Sequence, residues 1–309
     1  MNRVSIIGTG PAGLTAAIYT ARAGLKPVIY AGLQHGGQLT TTTDVENFPG
    51  FVEGIMGPKL MSDMTAQAER VGATIKYETV VKTDFSGKVH KFWTDGSDEA
   101  IESEAIIIST GATAKTLGLS GEKELMGRGL STCATCDGFF YKGKEVIVTG
   151  GGDSAMEEAL YLANLCKKVL LVHRRDVFRA SKIMLDRAKK HPNIEFMLPY
   201  RIQKLHGGSK GLEKVSLENT ENGSTQDITV DGLFYAIGHK PNSEVFLPWV
   251  EVDELGYIEI ENYTCTKTKG VFAAGDIADH TFRQAITAAG MGCQAAMQAA
   301  RYLEEKESN

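Results

Sequence analysis

The chain has 309 residues, a length at which one hydrophobic core usually divides, so two domains are expected. Its net charge is −5 and it has no dense run of Lys and Arg, which argues against a nucleic-acid partner. No apolar run reaches the roughly 18 residues that a membrane-spanning helix needs, so no membrane association is expected.

Two features of the sequence point to the cytoplasm. The apolar run at Val4–Ile7 is too short for the core of a signal peptide and leads directly into a glycine turn. The chain has 5 cysteines, and an odd number does not suggest an extracellular disulfide framework. A cytoplasmic protein is therefore predicted.

The chain begins with a strand, a glycine turn, a helix and a second strand. Val4–Ile7 is typical of a buried parallel strand, Leu14–Ala23 favours a helix, and Pro27–Tyr30 resumes as a strand. Between the first two lies Gly8-Thr9-Gly10-Pro11-Ala12-Gly13, a G-x-G-x-x-G pattern. In this context the pattern predicts a dinucleotide-binding turn.

A physical requirement explains why glycine occupies each of the three positions in that turn. Gly8 allows the tight turn, Gly10 lets the backbone approach a diphosphate, and Gly13 lets helix and strand pack closely. The free N–H groups and the dipole at the start of the helix then favour an anion. The acid expected after the second strand for the ribose of NAD is missing, because Tyr30-Ala31-Gly32 stands there. That departure argues against simple NAD binding by this half.

The same unit recurs 142 residues later, counted from Gly8 to Gly150. Glu145–Thr149 is predicted as a strand, Met156–Asn164 as a helix and Val169–Val172 as the next strand. The turn between strand and helix is Gly150-Gly151-Gly152-Asp153-Ser154-Ala155. Two dinucleotide-binding units in one chain are the main organising feature of the sequence.

A basic segment follows the second unit. His173-Arg174-Arg175 comes at the position where an acid would accept the 2′-hydroxyl of NAD, and Arg179 is close by. Guanidinium groups suit the 2′-phosphate of NADP instead, because they can pair bidentately with phosphate oxygens. The alternative is a solvated charged loop, but at this offset from a glycine turn the segment favours NADP.

A C-x-x-C pair, Cys133 and Cys136, lies between the two units, and Asp137 follows it. The spacing brings two thiols within reach of one disulfide and can lower the pKa of one of them. The alternative is half of a zinc site, which needs four ligands. The sequence has no second C-x-x-C and no closely spaced Cys/His pair, and the three other cysteines stand alone. A redox pair is therefore predicted, with no metal site.

The remaining stretches complete an α/β pattern. The sequence predicts a loop over 33–50, a helix over 58–72, β-structure over 73–95 ending at Asp95-Gly96, a polar connector over 113–130, a β-rich segment over 191–235 and a helix from about Arg283 to Leu303. Gly290 and Gly292 in that last helix cost stability, so either close approach by backbone or ligand or plain helix packing is expected there.

Taken together, these residues resemble the low-molecular-weight, bacterial-type thioredoxin reductases, which are pyridine nucleotide-disulfide oxidoreductases. The matching motifs extend over nearly the whole chain: Gly8–Gly13, Gly36–Thr43, Glu46–Gly50, Cys133–Gly138, Gly150–Ala155, His173–Arg175, and Gly275-Asp276 with Arg283–Ala285. The missing acid at Tyr30-Ala31-Gly32 is not a departure from this family, which often lacks it.

The resemblance implies an α/β fold with two Rossmann-like domains. An NADPH domain over 114–240 would be inserted into an FAD domain formed by 1–113 and 241–309, and the protein would be a homodimer. Electrons would pass from NADPH through FAD and the Cys133/Cys136 disulfide to thioredoxin. By the same resemblance Cys136 would face the flavin and Cys133 would attack thioredoxin. Asp137 would be an acid or base beside the pair, with a turn or helix cap as its alternative role.

The resemblance also implies a set of cofactor-binding residues. In the FAD domain they are Gly8, Gly10, Pro11, Ala12, Gly13, Gly32, Gly36, Gly37, Gln38, Leu39, Asn47, Val81, Gly111, Gly275, Asp276, Arg283, Gln284 and Ala285. In the inserted domain they are Gly150, Gly152, Asp153, Ser154, Ala155, His173, Arg174, Arg175, Arg179, Ile237, Gly238 and His239. Asp276 is expected near the ribityl or phosphate region of FAD, with 283–285 along the flavin.

Three other functions are weighed against this one. A flavin-dependent NADP reductase of the ferredoxin or flavodoxin type would need FAD and NADP but no cysteine pair. The reductase component of a peroxidase system normally carries an additional thioredoxin-like segment, whereas this chain starts directly at the first strand. A non-enzymatic redox-sensing dinucleotide binder would not be bleached by NADPH.

Overall fold

The computed structural model describes residues 1–42 and 44–308. Thr43, the last residue of the Gly36–Thr43 motif, lies outside the described residues. The chain divides into two compact units, the first formed by Met1–Thr113 with Lys240–Asn309 and the second by Ala114–His239. Lys240, which the sequence analysis assigns to the inserted segment, belongs to the first unit. Both units mix helices with parallel strands, as the α/β prediction requires.

The strands are numbered in chain order. They are β1 Asn2–Ile7, β2 Val28–Tyr30, β3 Asp44–Val45, β4 Ile55–Met56, β5 Thr74–Lys76, β6 Val80–Asp84, β7 His90–Thr94, β8 Ser97–Ile108, β9 Ala112–Ala114, β10 Leu130–Ser131, β11 Glu145–Thr149, β12 Lys168–Val172, β13 Ile194–Met197, β14 Tyr200–Gly208, β15 Gly211–Asn219, β16 Thr225–Thr229, β17 Gly232–Tyr235, β18 His239–Pro241 and β19 Val271–Ala273.

The α-helices are numbered in the same way. They are α1 Pro11–Arg22, α2 Gly57–Arg70, α3 Glu122–Leu125, α4 Ala134–Asp137, α5 Asp153–Ala163, α6 Lys182–Lys190 and α7 Ala285–Ser308. Short 3₁₀ segments span Gly37–Thr41, Gly138–Tyr141 and Glu244–Phe246. In the described part of the chain, no helix is long and apolar enough to cross a membrane.

The main sheet of the first unit has the strand order β5-β2-β1-β8-β7-β6, with β19 beside β8. Strands β5, β2, β1, β8 and β19 run parallel, and their centre is fully buried, as expected where helices cover a parallel sheet. Ile7 and Ala273 both pair with Ile108, so β1, β8 and β19 end at the same edge. The glycine turn after β1 and the segment after β19 therefore share that edge, where parallel sheets usually bind ligands.

Helices α1 and α7 pack closely on one face of this sheet. A Cβ on Gly292 would overlap the carbonyl oxygen of Ala12, so this glycine is required by helix packing. At Gly290 an added Cβ would meet no atom of the described residues within 4 Å. Of the two explanations for these glycines, close helix packing accounts for Gly292.

The sheet of the second unit has the order β10-β17-β11-β12-β13, and all its strand pairs are parallel. Thr149 pairs with both Val172 and Tyr235, which places the ends of β11, β12 and β17 side by side. A separate antiparallel sheet, β14-β15-β16, forms the middle of the β-rich segment predicted over 191–235, whereas β13 and β17 at its two ends belong to the parallel sheet.

Most predicted elements are found, with shifted ends. The Asp95-Gly96 turn joins β7 to β8 as predicted, and β8 then continues from Ser97 to Ile108. The predicted loop over 33–50 contains a 3₁₀ turn and β3, and the connector over 113–130 contains α3. Helix α6 was not predicted.

Candidate active site and dinucleotide-binding turns

In the first glycine turn, two glycines are required by the packing of the fold and one leaves space for a ligand. Gly8 has a φ of +111° and a Cβ there would overlap the Ser109 carbonyl oxygen, while a Cβ on Gly13 would overlap the Gly8 carbonyl oxygen. At Gly10 an added Cβ would meet no atom of residues 1–42 and 44–308 within 4 Å. The first and third glycines are thus needed by the fold, and the second leaves open space at the start of α1.

That open space suits an anion. Gly10 is the N-cap of α1, and glycine has no side chain that could cap the first N–H groups. The first turn of α1 has no acidic residue and begins with Pro11. The N–H groups and the positive end of the helix dipole therefore remain available to a phosphate. The residues present fit the diphosphate of a dinucleotide.

The second turn repeats this division. A Cβ on Gly150 would overlap the Ala236 carbonyl oxygen and lie 2.8 Å from the Cβ of Ala155, whereas one on Gly152 would meet no described atom within 4 Å. Gly152 is the N-cap of α5, which spans Asp153–Ala163, so Ser154 and Ala155 lie in its first turn. This turn also fits a diphosphate.

A second loop reaches the first turn. The hydroxyl of buried Thr9 accepts a hydrogen bond from the Gly36 N–H at 3.0 Å and donates to the Ala31 carbonyl at 3.3 Å. A Cβ on Gly37 would lie 3.3 Å from the Cα of Gly10. Gly36 and Gly37, predicted as cofactor-binding, therefore lie beside the glycine turn.

The side chains after Gly37 are also held in place. Gln38 donates a hydrogen bond from its side chain to the Ala112 carbonyl, and Leu39 packs on the core under α2. Gly32 and Gly111 have φ values of +70° and +66°, and an added Cβ at either would meet no described atom within 4 Å. Space for a ligand is open at these two glycines as well.

Gly275 and Asp276 follow β19 at the same sheet edge. Gly275 has a φ of +82°, and a Cβ there would lie 3.0 Å from the Cβ of Ala12. The pKa of the Asp276 carboxyl is raised to about 6, because burial and then the Asp279 carboxylate raise it by more than the Arg283 guanidinium lowers it. Ionisation of this partly buried carboxyl is unfavourable, so the carboxylate would be stabilised by a hydrogen bond donated by a ligand.

Distant parts of the sequence meet beside this carboxyl. Asn47 donates a side-chain hydrogen bond to the Gln284 side-chain oxygen at 3.4 Å, and Ala285 begins α7. Arg283 has a φ of +49°, a backbone conformation that residues other than glycine rarely adopt. Val81, also predicted as cofactor-binding, lies on β6, and its side chain is 55% exposed.

The basic segment of the second unit presents three exposed guanidinium groups. Arg174, Arg175 and Arg179 are exposed, and none of them belongs to an ion pair found among residues 1–42 and 44–308. His173 differs, because its ring stacks on Phe178 at 5.0 Å and burial lowers its pKa. The three arginines are therefore the cations of this segment at neutral pH, and His173 is a neutral packing group.

Ile237, Gly238 and His239 follow β17 near the end of the second unit. Ile237 packs on the apolar cluster beneath β17, and His239 begins β18. The Gly238 carbonyl accepts a hydrogen bond from the Lys115 N–H at 3.0 Å, and its φ of +91° requires glycine.

The two cysteines of the C-x-x-C pair form a disulfide, with their Cα atoms 5.3 Å apart. Cys133 is the N-cap of α4, and its sulfur accepts a hydrogen bond from the Cys136 N–H at 3.2 Å. The Cys133 N–H donates to the Ser131 hydroxyl at 3.0 Å. Cys136 is exposed and Cys133 is half-buried. Since the sulfurs are bonded to each other, neither is a metal ligand in this form.

Asp137 lies directly beside this pair, at the last position of α4. It is not the N-cap of that helix, because Cys133 is. Burial raises the pKa of its carboxyl, and a hydrogen bond with Ser131 acts in the opposite direction. A carboxyl that retains a proton more readily than usual can serve as an acid or base.

Sequence reasoning missed three features of this region. Ser131 anchors the backbone of Cys133, and Phe139 and Phe140 expose 58% and 38% of their surface immediately after the pair. The aromatic residues adjoin the C-x-x-C motif in the sequence, but their exposure depends on packing that no local pattern reveals.

The chain is similar to known proteins over nearly its whole length. A family model described as pyridine nucleotide-disulphide oxidoreductase matches residues 2–292. Two curated proteins named thioredoxin reductase, from Streptomyces clavuligerus and Mycolicibacterium smegmatis, are each 50% identical over 98% of this chain, and over 94% and 97% of their own lengths. A solved thioredoxin reductase from Giardia duodenalis superposes with a TM-score of 0.93 at 44% identity, covering 98% of both chains. The chain therefore belongs to the pyridine nucleotide-disulphide oxidoreductase family.

Proposed function

We propose that this protein is a thioredoxin reductase, a homodimer of the cytoplasm that uses FAD and NADPH to reduce the disulfide of thioredoxin. The observation that carries the proposal is the Cys133–Cys136 disulfide in a chain that also has two open glycine turns. Relatives that share half of its sequence over nearly the whole chain have that name. A ferredoxin or flavodoxin reductase would not need the cysteine pair.

Each unit would hold one dinucleotide. The turn at Gly10 and the carboxyl of Asp276 would bind FAD, because an uncapped helix start suits its diphosphate and a carboxylate suits a sugar hydroxyl. The turn at Gly152 and the exposed guanidinium groups of Arg174 and Arg175 would bind NADPH, since these groups can pair with its 2′-phosphate.

When bound, NADPH and FAD would supply the electron pair that reduces the Cys133–Cys136 disulfide, and the protein would hold the two cofactors in position. In the reduced pair, Cys133 is the better thiolate, because the Cys136 N–H points at its sulfur and it caps the start of α4. Cys133 would attack one sulfur of the thioredoxin disulfide, forming a mixed disulfide and releasing a thiolate that takes up a proton. Cys136 would then attack the Cys133 sulfur, release the second thiol and restore the disulfide.

Asp137 would hold and return the proton that these two steps require. Its carboxyl adjoins the pair, and burial raises its pKa. The exposed side chains of Phe139 and Phe140 would contact the partner, because exposed aromatic groups beside a reactive centre are typical of protein-binding surfaces.

The decisive experiment traps the mixed disulfide. The Cys136→Ser variant, fully reduced and mixed with oxidised thioredoxin, should form a covalent one-to-one adduct through Cys133, because the thiol that resolves the intermediate is missing. The Cys133→Ser variant should form much less adduct, and Cys293→Ser, which lies outside the pair, should turn over normally. A Cys136→Ser protein that bleaches with NADPH but never forms the adduct would exclude thioredoxin as the substrate.

A further inference from the structure

The segment that follows β12 is fastened to the second glycine turn. The Gly151 carbonyl accepts hydrogen bonds from the Arg179 N–H at 2.8 Å and from the Ala180 N–H at 3.2 Å. One backbone oxygen in the middle of the turn thus holds two successive residues of the arginine segment, which we define as 173–181.

Asp153 adds a second attachment. One of its carboxylate oxygens accepts hydrogen bonds from the Ser181 N–H at 2.8 Å and from the Ser181 hydroxyl at 2.9 Å. Asp153 is the first residue of α5, where a negative charge is favoured by the helix dipole but would repel a diphosphate at the same helix start. The carboxylate is instead engaged with the end of the arginine segment.

The imidazole of His173 closes the other end of the segment. Its ring stacks on Phe178 at 5.0 Å with an angle of 27° between the planes. A Cβ on Gly151 would overlap this ring, so the middle glycine is required by His173 and not by a ligand. The arginine segment is therefore held against the turn at both ends and by its backbone.

The first unit has the same kind of attachment at the corresponding place. Thr9 is the middle residue of its glycine turn, and its hydroxyl bonds Ala31 and Gly36 in the loop that follows β2. In both units the centre of the glycine turn fixes the loop after the second strand. The attachment is therefore shared by both units and is not an accident of one surface loop.

We propose that Asp153 is a positioning residue that acts through Ser181 to hold the arginine segment in the geometry that reads a 2′-phosphate. The inference rests on the proposed use of NADPH by this unit, and it reassigns Asp153 from a cofactor contact to a support for Arg174, Arg175 and Arg179. A fixed segment binds more tightly than a loose one, because the cost of ordering it is met during folding and not during binding.

The test compares binding of NADP⁺ and NAD⁺ by calorimetry to the flavin-loaded protein and its variants. Asp153→Ala, which removes the acceptor of both Ser181 hydrogen bonds, should weaken NADP⁺ binding about tenfold and should change NAD⁺ binding less than about twofold. Asp153→Asn, which keeps the acceptor oxygen, should bind NADP⁺ like the parent. In a background in which Arg174, Arg175 and Arg179 are all replaced by Ala, Asp153→Ala should add less than about a further twofold, because its effect passes through the arginines.

Equal weakening of NADP⁺ and NAD⁺ would overturn the proposal, since it would mean that Asp153 touches the part of the dinucleotide that both share. Fully additive losses in the background that lacks all three arginines would overturn it as well. If Asp153→Ala does not fold, Ser181→Ala removes only the hydroxyl donor and should weaken NADP⁺ about threefold with NAD⁺ unaffected. A parent protein that binds NAD⁺ as tightly as NADP⁺ would refute the proposed NADPH function itself, whereas a parent that prefers NADP⁺ and an unaffected Asp153→Ala variant would refute only the positioning role.

Discussion

The Asp276→Asn variant should be more stable than the parent protein and should bind FAD less tightly. Burial raises the pKa of the Asp276 carboxyl from 3.8 to about 6, so in the flavin-free protein its ionisation opposes folding. A difference of that size corresponds to up to about 3 kcal/mol at pH values above 7. The asparagine side chain has a similar shape and no charge to desolvate, so the variant avoids this cost.

The sign of the pH dependence follows from the raised pKa. Below about pH 3 the carboxyl is neutral in both the folded and unfolded states, and parent and variant should have the same free energy of unfolding. As pH rises toward 6 the unfolded chain releases its proton first, so the parent loses stability relative to the variant. Above pH 7 the difference should be constant, at up to about 3 kcal/mol.

The measurement is urea unfolding of flavin-stripped protein at several pH values between 4 and 8, with the difference between variant and parent plotted against pH. Asp84→Asn is the control, because hydrogen bonds from Ser86 lower the pKa of that exposed carboxyl below its ordinary value, so the difference between Asp84→Asn and the parent should stay nearly constant from pH 4 to 8. The amount of flavin retained after dialysis measures FAD binding, which we expect to be about tenfold weaker in Asp276→Asn than in the parent. The reasoning would be refuted if the difference in the free energy of unfolding between variant and parent did not change from pH 4 to 8.

Three further predictions concern the reaction and the glycine turns. Cys133→Ser should abolish thioredoxin reduction while NADPH still bleaches the flavin, because reduction of the flavin requires neither thiol. Near-normal turnover of thioredoxin in a coupled assay would exclude Cys133 as a redox-active cysteine. Arg175→Ala should raise the KM for NADPH about tenfold to a hundredfold and leave that for NADH nearly unchanged, and steady-state kinetics that show an unaltered preference would place the phosphate elsewhere. Gly10→Ala should fold normally but lose flavin, whereas Gly13→Ala should be strongly destabilised by overlap with the Gly8 carbonyl, which thermal unfolding and flavin absorbance together distinguish.

Local patterns were sufficient to predict the fold class and both glycine turns. The apolar runs at Val4–Ile7 and Glu145–Thr149, each followed at once by glycines and a helix, are found as β1 and β11 with turns of the expected shape. The Asp95-Gly96 hairpin was predictable for the same reason, since two residues determine its turn.

Contacts between distant residues were not predictable from these patterns. The hydrogen bond between Asn47 and Gln284 joins residues far apart in the sequence. The role of Gly292 depends on how closely α7 approaches the backbone of Ala12. The engagement of Asp153 with Ser181 likewise depends on the path of the chain after β12, which no periodicity describes.

The environment of each sulfur explains why disulfide exchange falls to one pair of the 5 cysteines. Burial raises the pKa of the Cys166 thiol to about 11, and burial also raises the pKa of the half-buried Cys265 thiol. Both thiols are therefore poor sources of thiolate at neutral pH. Cys133 receives an N–H hydrogen bond on its sulfur at the start of α4, and exposed Cys136 is bonded to it. At this pair a backbone N–H at a helix start stabilises a thiolate, so the reactivity follows from the helix start that the C-x-x-C spacing creates.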